Sequence, residues 1–226
     1  MMYRDDLAYI HHAGFSEFAE SAAPGLLELL WQRGVRDGLV VELGCGSGIL
    51  ARELTRAGFD VLGFDASPAM IELARATAPR ARFAVGTFDA IDLPPCNAIV
   101  AMGEVLNYGT FDGVRQLVAN AKTRLMIFDV AERDSYPLYD ERRVDGDDWS
   151  VIAIKESDGT HLTRRVLTFR AIEGEMRRDE EVHVLELYDR AALRALLREQ
   201  RFRVTIRRSY RTRRLPKGHA VYIAER

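Results

Sequence analysis

Cysteine is scarce in this chain of 226 residues: only Cys45 and Cys96 occur. Two thiols cannot build a disulfide-stapled scaffold, and nothing in their spacing suits a zinc site, so a reducing, cytoplasmic setting is expected. Long hydrophobic runs are missing too. Crossing a bilayer takes about 20 apolar residues, and no stretch comes close. The first residues also lack the basic-then-apolar order of a secretion signal, so neither a membrane nor an exported protein is expected. Lysine stands only at Lys122, Lys155 and Lys217, and the other basic residues are arginine. Excess charge is absent, since a net −2 gives no global pull toward nucleic acid or acidic membranes. A metal is not expected: His11 and His12 are adjacent, their side chains diverge, and no companion Cys or carboxylate lies at ligand spacing. There is no internal repeat and no low-complexity segment. At 47% hydrophobic residues the chain suits one domain over 1–226 with a substantial core.

What is present centres on Val40-Val41-Glu42-Leu43-Gly44-Cys45-Gly46-Ser47-Gly48. An apolar strand runs into three glycines at alternate positions, and a helical pattern follows. Glycine tolerates φ > 0 and has no Cβ, so a ligand can approach the backbone closely. A helix opening just afterwards points free N–H groups at that ligand. The Gly-x-Gly-x-Gly spacing differs from the Gly-x-Gly-x-x-Gly of dinucleotide-binding enzymes. Glu42 puts a carboxylate at the strand end, which suits a cationic ammonium or sulfonium better than a pyrophosphate.

Around this motif, short apolar strands alternate with helices. Strands are expected at 39–43, 60–64, 82–85, 98–102 and 124–130. Helices are expected at 49–57, 67–78 and 111–121, and an N-terminal helical region at 15–33 has Ser16 as N-cap and Pro24 as a break or a second start. Such alternation predicts an α/β fold with a parallel sheet covered on both faces. After the fifth strand the pattern changes. Residues 149–156, 162–171 and 180–187 read as antiparallel strands, with turns at Asp158-Gly159 and Glu173-Gly174. A helix over 190–200 follows, then a hairpin of 202–210 with 220–224.

The glycine motif, the acidic residue Asp65 ending the second strand and the strand order resemble the class I S-adenosylmethionine (SAM)-dependent methyltransferases over about residues 35–130. The Gly-Glu-x-Leu-Asn-Tyr run at 103–108 narrows the resemblance to small-molecule members. The resemblance implies a seven-stranded Rossmann-like sheet, mostly parallel, ending in an antiparallel hairpin, with an antiparallel β insert after strand five. It implies an N-terminal helical lid over 1–34 and an inserted subdomain over 131–188 covering the active site. It also implies SAM as cofactor, with S-adenosylhomocysteine as product. The expected cofactor residues are Glu42, Gly44, Cys45, Gly46 and Gly48 from the motif, and Asp65 and Ala66 after strand two. Thr87, Phe88 and Asp89 would border the adenine, and Met102 and Gly103 the methionine part. Helix capping alone would also select Asp65, a plain turn would explain 86–89, and Cys45 reads as a small residue in a tight turn.

The acceptor side offers catalytic candidates in Glu104, His12 (with His11 beside it) and His183, which shares a strand face with Glu181. Substrate-binding candidates are Tyr9, Asn107, Tyr108, Tyr136 and Arg178. A solvated carboxylate or surface histidines are the plainer readings of several of these. The partner expected is a small-molecule acceptor, and no nucleic acid. The arginines at 201, 203, 207, 208, 211, 213 and 214 leave open a macromolecular substrate or a charged sheet edge. A SAM-binding module without turnover is a further alternative, and an antiparallel insert of this kind can pair subunits into a homodimer.

Overall fold

The computed structural model describes residues 3–133 and 135–226, so the first two residues of the expected lid lie outside it. Helix α1 (Asp5–Phe15) opens on two aspartates, whose charge suits a helix N-terminus. Ser16 joins it to α2 (Glu17–Gln32). Here the sequence expectation fails in two ways. Ser16 has helical dihedrals and its side chain caps nothing, while Pro24 sits inside α2 without breaking it. Pro24 is exposed and removes one backbone donor, but Ala22, Ala23, Leu26 and Leu30 are fully buried and hold the helix through it.

Strands and helices then alternate: β1 (Leu39–Leu43), α3 (Ile49–Arg56), β2 (Asp60–Asp65), α4 (Pro68–Thr77), β3 (Arg82–Val85) and β4 (Ala98–Ala101). A short 3-10 turn (Val105–Tyr108), α5 (Phe111–Asn120) and β5 (Leu125–Ala131) follow. The chain leaves for β6 (Tyr139–Asp145), β7 (Trp149–Ser157), β8 (His161–Ile172) and β9 (Glu175–Glu186). It returns with α6 (Arg190–Glu199), β10 (Arg203–Arg207), β11 (Ser209–Tyr210), β12 (Arg213–Arg214) and β13 (His219–Glu225).

Seven strands form one sheet in the order β10-β13-β5-β4-β1-β2-β3. The first five strands pair in parallel, and β13 runs antiparallel to both β5 and β10. This is the Rossmann-like α/β sheet expected. Its central strands are near-continuous apolar runs because helices cover both faces. Val114, Leu117, Leu193 and Leu197 pack on one side, and Leu26, Leu30, Leu50 and Leu54 on the other. Phe128 and Tyr222 oppose each other across β5 and β13 and stack, with ring centroids 5.5 Å apart.

The insert is a separate antiparallel sheet, β6-β7-β8-β9. Strand β6 was not expected, because Asp140, Glu141, Arg142 and Arg143 give it no apolar alternation. It exists by pairing with β7 and remains a charged edge. The closing hairpin also differs from the expected 202–210. The chain leaves the sheet after Arg207, and Ser209–Tyr210 pairs with Arg213–Arg214 instead. The Tyr210 backbone runs against Gly25 of α2, where a Cβ would come within 2.5 Å of it.

Helix α1 is latched to the insert. Buried Asp6 forms ion pairs with Arg177 and, at 3.3 Å, with Arg170. Tyr9 donates to Asp148 at 2.9 Å, and the Arg170 guanidinium lies 3.6 Å above the Tyr9 ring. Leu7 and Ile10 pack on Trp149, Val151 and Val166. Among the described residues no helix is long and apolar enough to cross a membrane.

Candidate active site

A cleft of about 580 Å³ opens at the C-terminal ends of β1 to β4. Ligands of open α/β sheets bind at this position. A smaller hollow of about 340 Å³ on the outer side of α2, around Pro24 and Trp31, carries none of the motif residues.

The glycine loop forms the floor of the cleft. Gly46 has φ +50° and faces open space, so a ligand can reach its backbone. Its N–H donates to the Asp65 carboxylate at 2.9 Å, and the other oxygen of Asp65 takes the Ser67 N–H at 2.9 Å. Burial raises the Asp65 pKa against those two donors. Glu42 is buried beside them, and its Oε2 has no hydrogen-bond partner. Burial, and then the nearby Asp65 charge, push its carboxyl well above the usual range. Burial likewise raises the Cys45 thiol, which removes it as a nucleophile. Ala66, Thr87, Phe88, Asp89 and Met102 complete this half of the wall.

The other half is polar, and its groups and those backing them come from six parts of the chain. Gly103 donates to both oxygens of Asp129, at 2.7 and 2.9 Å. Burial pushes the Asp129 carboxyl up to about 7, although the Gly103 N–H opposes this. Glu104 follows with φ +61°, a conformation strained for a residue with a Cβ. Its Oε2 accepts from the Tyr136 hydroxyl at 2.9 Å and Arg164 Nη2 at 3.4 Å, and its Oε1 lies 3.1 Å from His219 Nε2. Burial works to raise the Glu104 pKa, but His219, Arg164 and Tyr136 outweigh it and hold the carboxyl at about 2. Arg164 Nη1 donates to the Tyr108 hydroxyl at 3.2 Å, and that hydroxyl is 3.2 Å from the Tyr3 hydroxyl. His11 of α1 also lines the cleft, and burial, with Arg164 and His12 adding to it, lowers its pKa to about 4. Among the described residues no group of three or more His, Cys, Asp and Glu side chains is gathered to hold a metal ion.

The family described as "Methyltransferase domain" matches residues 40–126. Solved structures align over nearly the whole chain. An S-adenosylmethionine-dependent methyltransferase from Clostridium acetobutylicum is similar with TM-score 0.81 at 15% identity, covering 96% of each chain. Residues 40–126 carry a methyltransferase domain, and the chain as a whole has the fold of S-adenosylmethionine-dependent methyltransferases. An amino pentose methyltransferase from Micromonospora echinaspora, solved with S-adenosylmethionine bound, is similar with TM-score 0.76 at 17% identity, covering 100% of this chain and 98% of that one. The Magnesium-protoporphyrin O-methyltransferase of Rhodobacter capsulatus is 31% identical over 104 residues. That match spans less than half of either protein, 43% of this chain and 46% of the relative.

Seven residues expected at the methyltransferase site lie off the cleft wall. A Cβ on Gly48 would meet the Ala74 backbone at 2.9 Å, so its role is to let α4 close on α3. His12 turns to Ser47, with Nδ1 2.9 Å from its hydroxyl. Asn107 is fully buried and clamps the backbone of Ala131 and Glu186. Tyr9 belongs to the latch on Asp148, and Arg178 is exposed and paired with Glu180 at 3.1 Å. Tyr136 stands behind Glu104. His183 is buried behind the rings of Tyr3 and Tyr108, with centroids 5.1 and 5.9 Å away. It sits 3.3 Å from Glu181 without hydrogen-bond geometry, and neither ring nitrogen has a partner.

Sequence reasoning missed Tyr3, Phe15 and Arg164 as wall residues. Arg164 carried a readable signal: it falls in phase with Leu162 and Val166, the buried face of β8. Four of the seven C-terminal arginines are paired, and Arg201, Arg207 and Arg214 are exposed. Arg203, Arg208, Arg211 and Arg213 each pair with a carboxylate, those of Glu225, Glu132, Glu28 and Glu17.

Proposed function

We propose that this methyltransferase moves the methyl group of S-adenosylmethionine to an oxygen or nitrogen of a small-molecule acceptor, chiefly by in-line positioning. The observation that carries the reading is a single cleft joining the glycine-loop floor to the polar end around Tyr3, Glu104, Tyr108 and Arg164. The floor fits the cofactor: an open glycine at Gly46 and an unpartnered buried carboxylate oxygen on Glu42 suit a ligand with a cationic end. Glu42, Gly44, Cys45, Gly46, Asp65 and Ala66 would hold it, with Thr87, Phe88, Asp89, Met102 and Gly103 along its length. The bound cofactor supplies a sulfonium-activated methyl group.

The chain's own residues supply orientation and exclude water. Orientation alone can contribute roughly 7–11 kcal/mol in favourable cases. Residues 1–34 and 131–188 act as lid and cover, since Tyr3, His11 and Phe15 come from one and Arg164 from the other. The enclosure they build supports a small acceptor over a polymer. Two of the three relatives are named for small molecules, an amino pentose and magnesium protoporphyrin.

The test incubates the full chain with methyl-labelled S-adenosylmethionine and a cell extract, then separates the extract by size. Label in the small-molecule fraction is the expected result. Label retained on RNA, DNA or protein would replace this reading with a macromolecular one. Cofactor binding with no transfer would leave a binding module.

A further inference from the structure

Arg164 is the one cation that β8 sends into the cleft, and its guanidinium is only partly spent. Nη1 serves Tyr108 and Nη2 serves Glu104 and Tyr136, while the buried Nε has no hydrogen-bond partner. An orphaned guanidinium N–H in a cleft wall calls for an oxygen acceptor that a ligand brings. Glu104, the nearest carboxylate, already has both oxygens engaged by side chains of the protein. One of its oxygens faces His219, and the other takes Tyr136 and Arg164.

The groups facing Arg164 also lack a competent base, and Asp129, raised to about 7 by burial, is shut away behind the Gly103 N–H and does not line the cleft. Glu104 is held at about 2 by His219 and Arg164 against its burial, and His11 is lowered to about 4 by burial. Burial raises Tyr3, and Lys155 on the neighbouring strand leans over Tyr136, 5.5 Å from its ring centroid. An alcohol, a phenol or an ammonium would have to lose a proton before attack, and these groups take one poorly at neutral pH. A carboxylate needs no deprotonation, since its ordinary pKa is about 4.

We propose that the acceptor is a carboxylic acid whose carboxylate is held by Arg164 and methylated on oxygen. This rests on the methyl-transfer reading above. A carboxylate oxygen attacks the sulfonium methyl, the new O–CH3 bond forms and the S–CH3 bond breaks. That electron pair stays on sulfur as a neutral thioether. The negative and positive charges cancel, and no proton moves.

The experiment uses the full chain, methyl-tritiated S-adenosylmethionine and a low-molecular-weight extract as acceptor pool. Half of the product is treated with mild alkali. A methyl ester then releases its label as volatile methanol, whereas N-methyl groups and methyl ethers keep it. Mostly volatile label is expected. Alkali-stable label in small molecules overturns the carboxylate assignment and leaves methyl transfer standing. Label in no small molecule overturns the underlying reading and this proposal with it. On the labelled acid, Arg164→Gln should raise the acceptor KM roughly 10- to 100-fold. S-adenosylmethionine Kd should stay unchanged, and Arg164→Lys should recover part of the loss. An unchanged acceptor KM in a folded Arg164→Gln variant would also overturn it.

Discussion

Gly46 and Gly48 sit two residues apart in one motif, yet replacing each with alanine should damage different properties. At Gly48, φ is +81° and an added Cβ would lie 2.9 Å from Ala74 Cα and 3.0 Å from its carbonyl oxygen. The left-handed conformation costs a side chain roughly 1–2 kcal/mol. Forcing α4 off α3 adds roughly 1–3 kcal/mol of overpacking. The sum is about 2–5 kcal/mol, which for a chain of this size lowers Tm by roughly 4–20 °C. At Gly46, φ is +50° and nothing lies within 4 Å of the added Cβ. Only the backbone term remains, about 1–2 kcal/mol, and Tm should fall by roughly 2–8 °C. The new methyl would instead stand in the cleft floor, so S-adenosylmethionine affinity should drop at least tenfold. Thermal unfolding and calorimetric titration of both purified variants give the comparison. If Gly48→Ala loses affinity without losing stability, or if Gly46→Ala binds the cofactor normally, the division of labour drawn from the geometry is wrong.

Three further outcomes follow from the same site. Asp65→Ala should weaken S-adenosylmethionine binding while leaving the circular dichroism spectrum native, and unchanged affinity would remove Asp65 from the cofactor site. Glu42→Gln should raise Tm at neutral pH and weaken cofactor binding. The folded-state pKa of Glu42 is raised by burial, so its contribution to stability is fully present below the ordinary carboxylate pKa and is lost as pH rises through the raised value; a Tm gain that persists at pH 4 would contradict this. Asp6→Asn should loosen α1, costing about 2 kcal/mol because Arg177 is half exposed. Burial works to raise the Asp6 pKa, but Arg177 and Arg170 outweigh it, so the latch holds above the ordinary carboxylate pKa and fails as pH falls through the lowered one. Faster amide exchange confined to residues 5–15 is the signature, and uniform exchange across the chain would deny the latch a separate existence.

The sheet and its cofactor floor were legible because their physics is local. Val40-Val41 running into Gly44 states a buried strand and a tight turn in nine letters, and Asp65 marks the next strand end. The acceptor end was not legible in the same way. Arg164, Tyr3 and His11 are 40 or more residues from Glu104 in sequence, and only pairing of β8 with β9 and docking of α1 bring them together. Asn107 and Tyr9 show the converse error. Both are polar residues near the right place, and both are fully engaged in holding backbone or helix. Strand β6 escaped because a strand made by pairing with a neighbour need show no hydrophobic period.

The latch between α1 and the insert joins Asp6 to Arg170 and Arg177, 164 and 171 positions further along the chain. Neither α1 nor the insert can be exchanged alone between related enzymes. A chimera that imported another insert would inherit a buried Asp6 with no arginine opposite, and one that imported another N-terminus would strand Arg170 and Arg177. The sheet below would tolerate either graft. The unit to transplant is therefore the helix together with its sheet, and a graft of both should keep the latch that a graft of either one breaks.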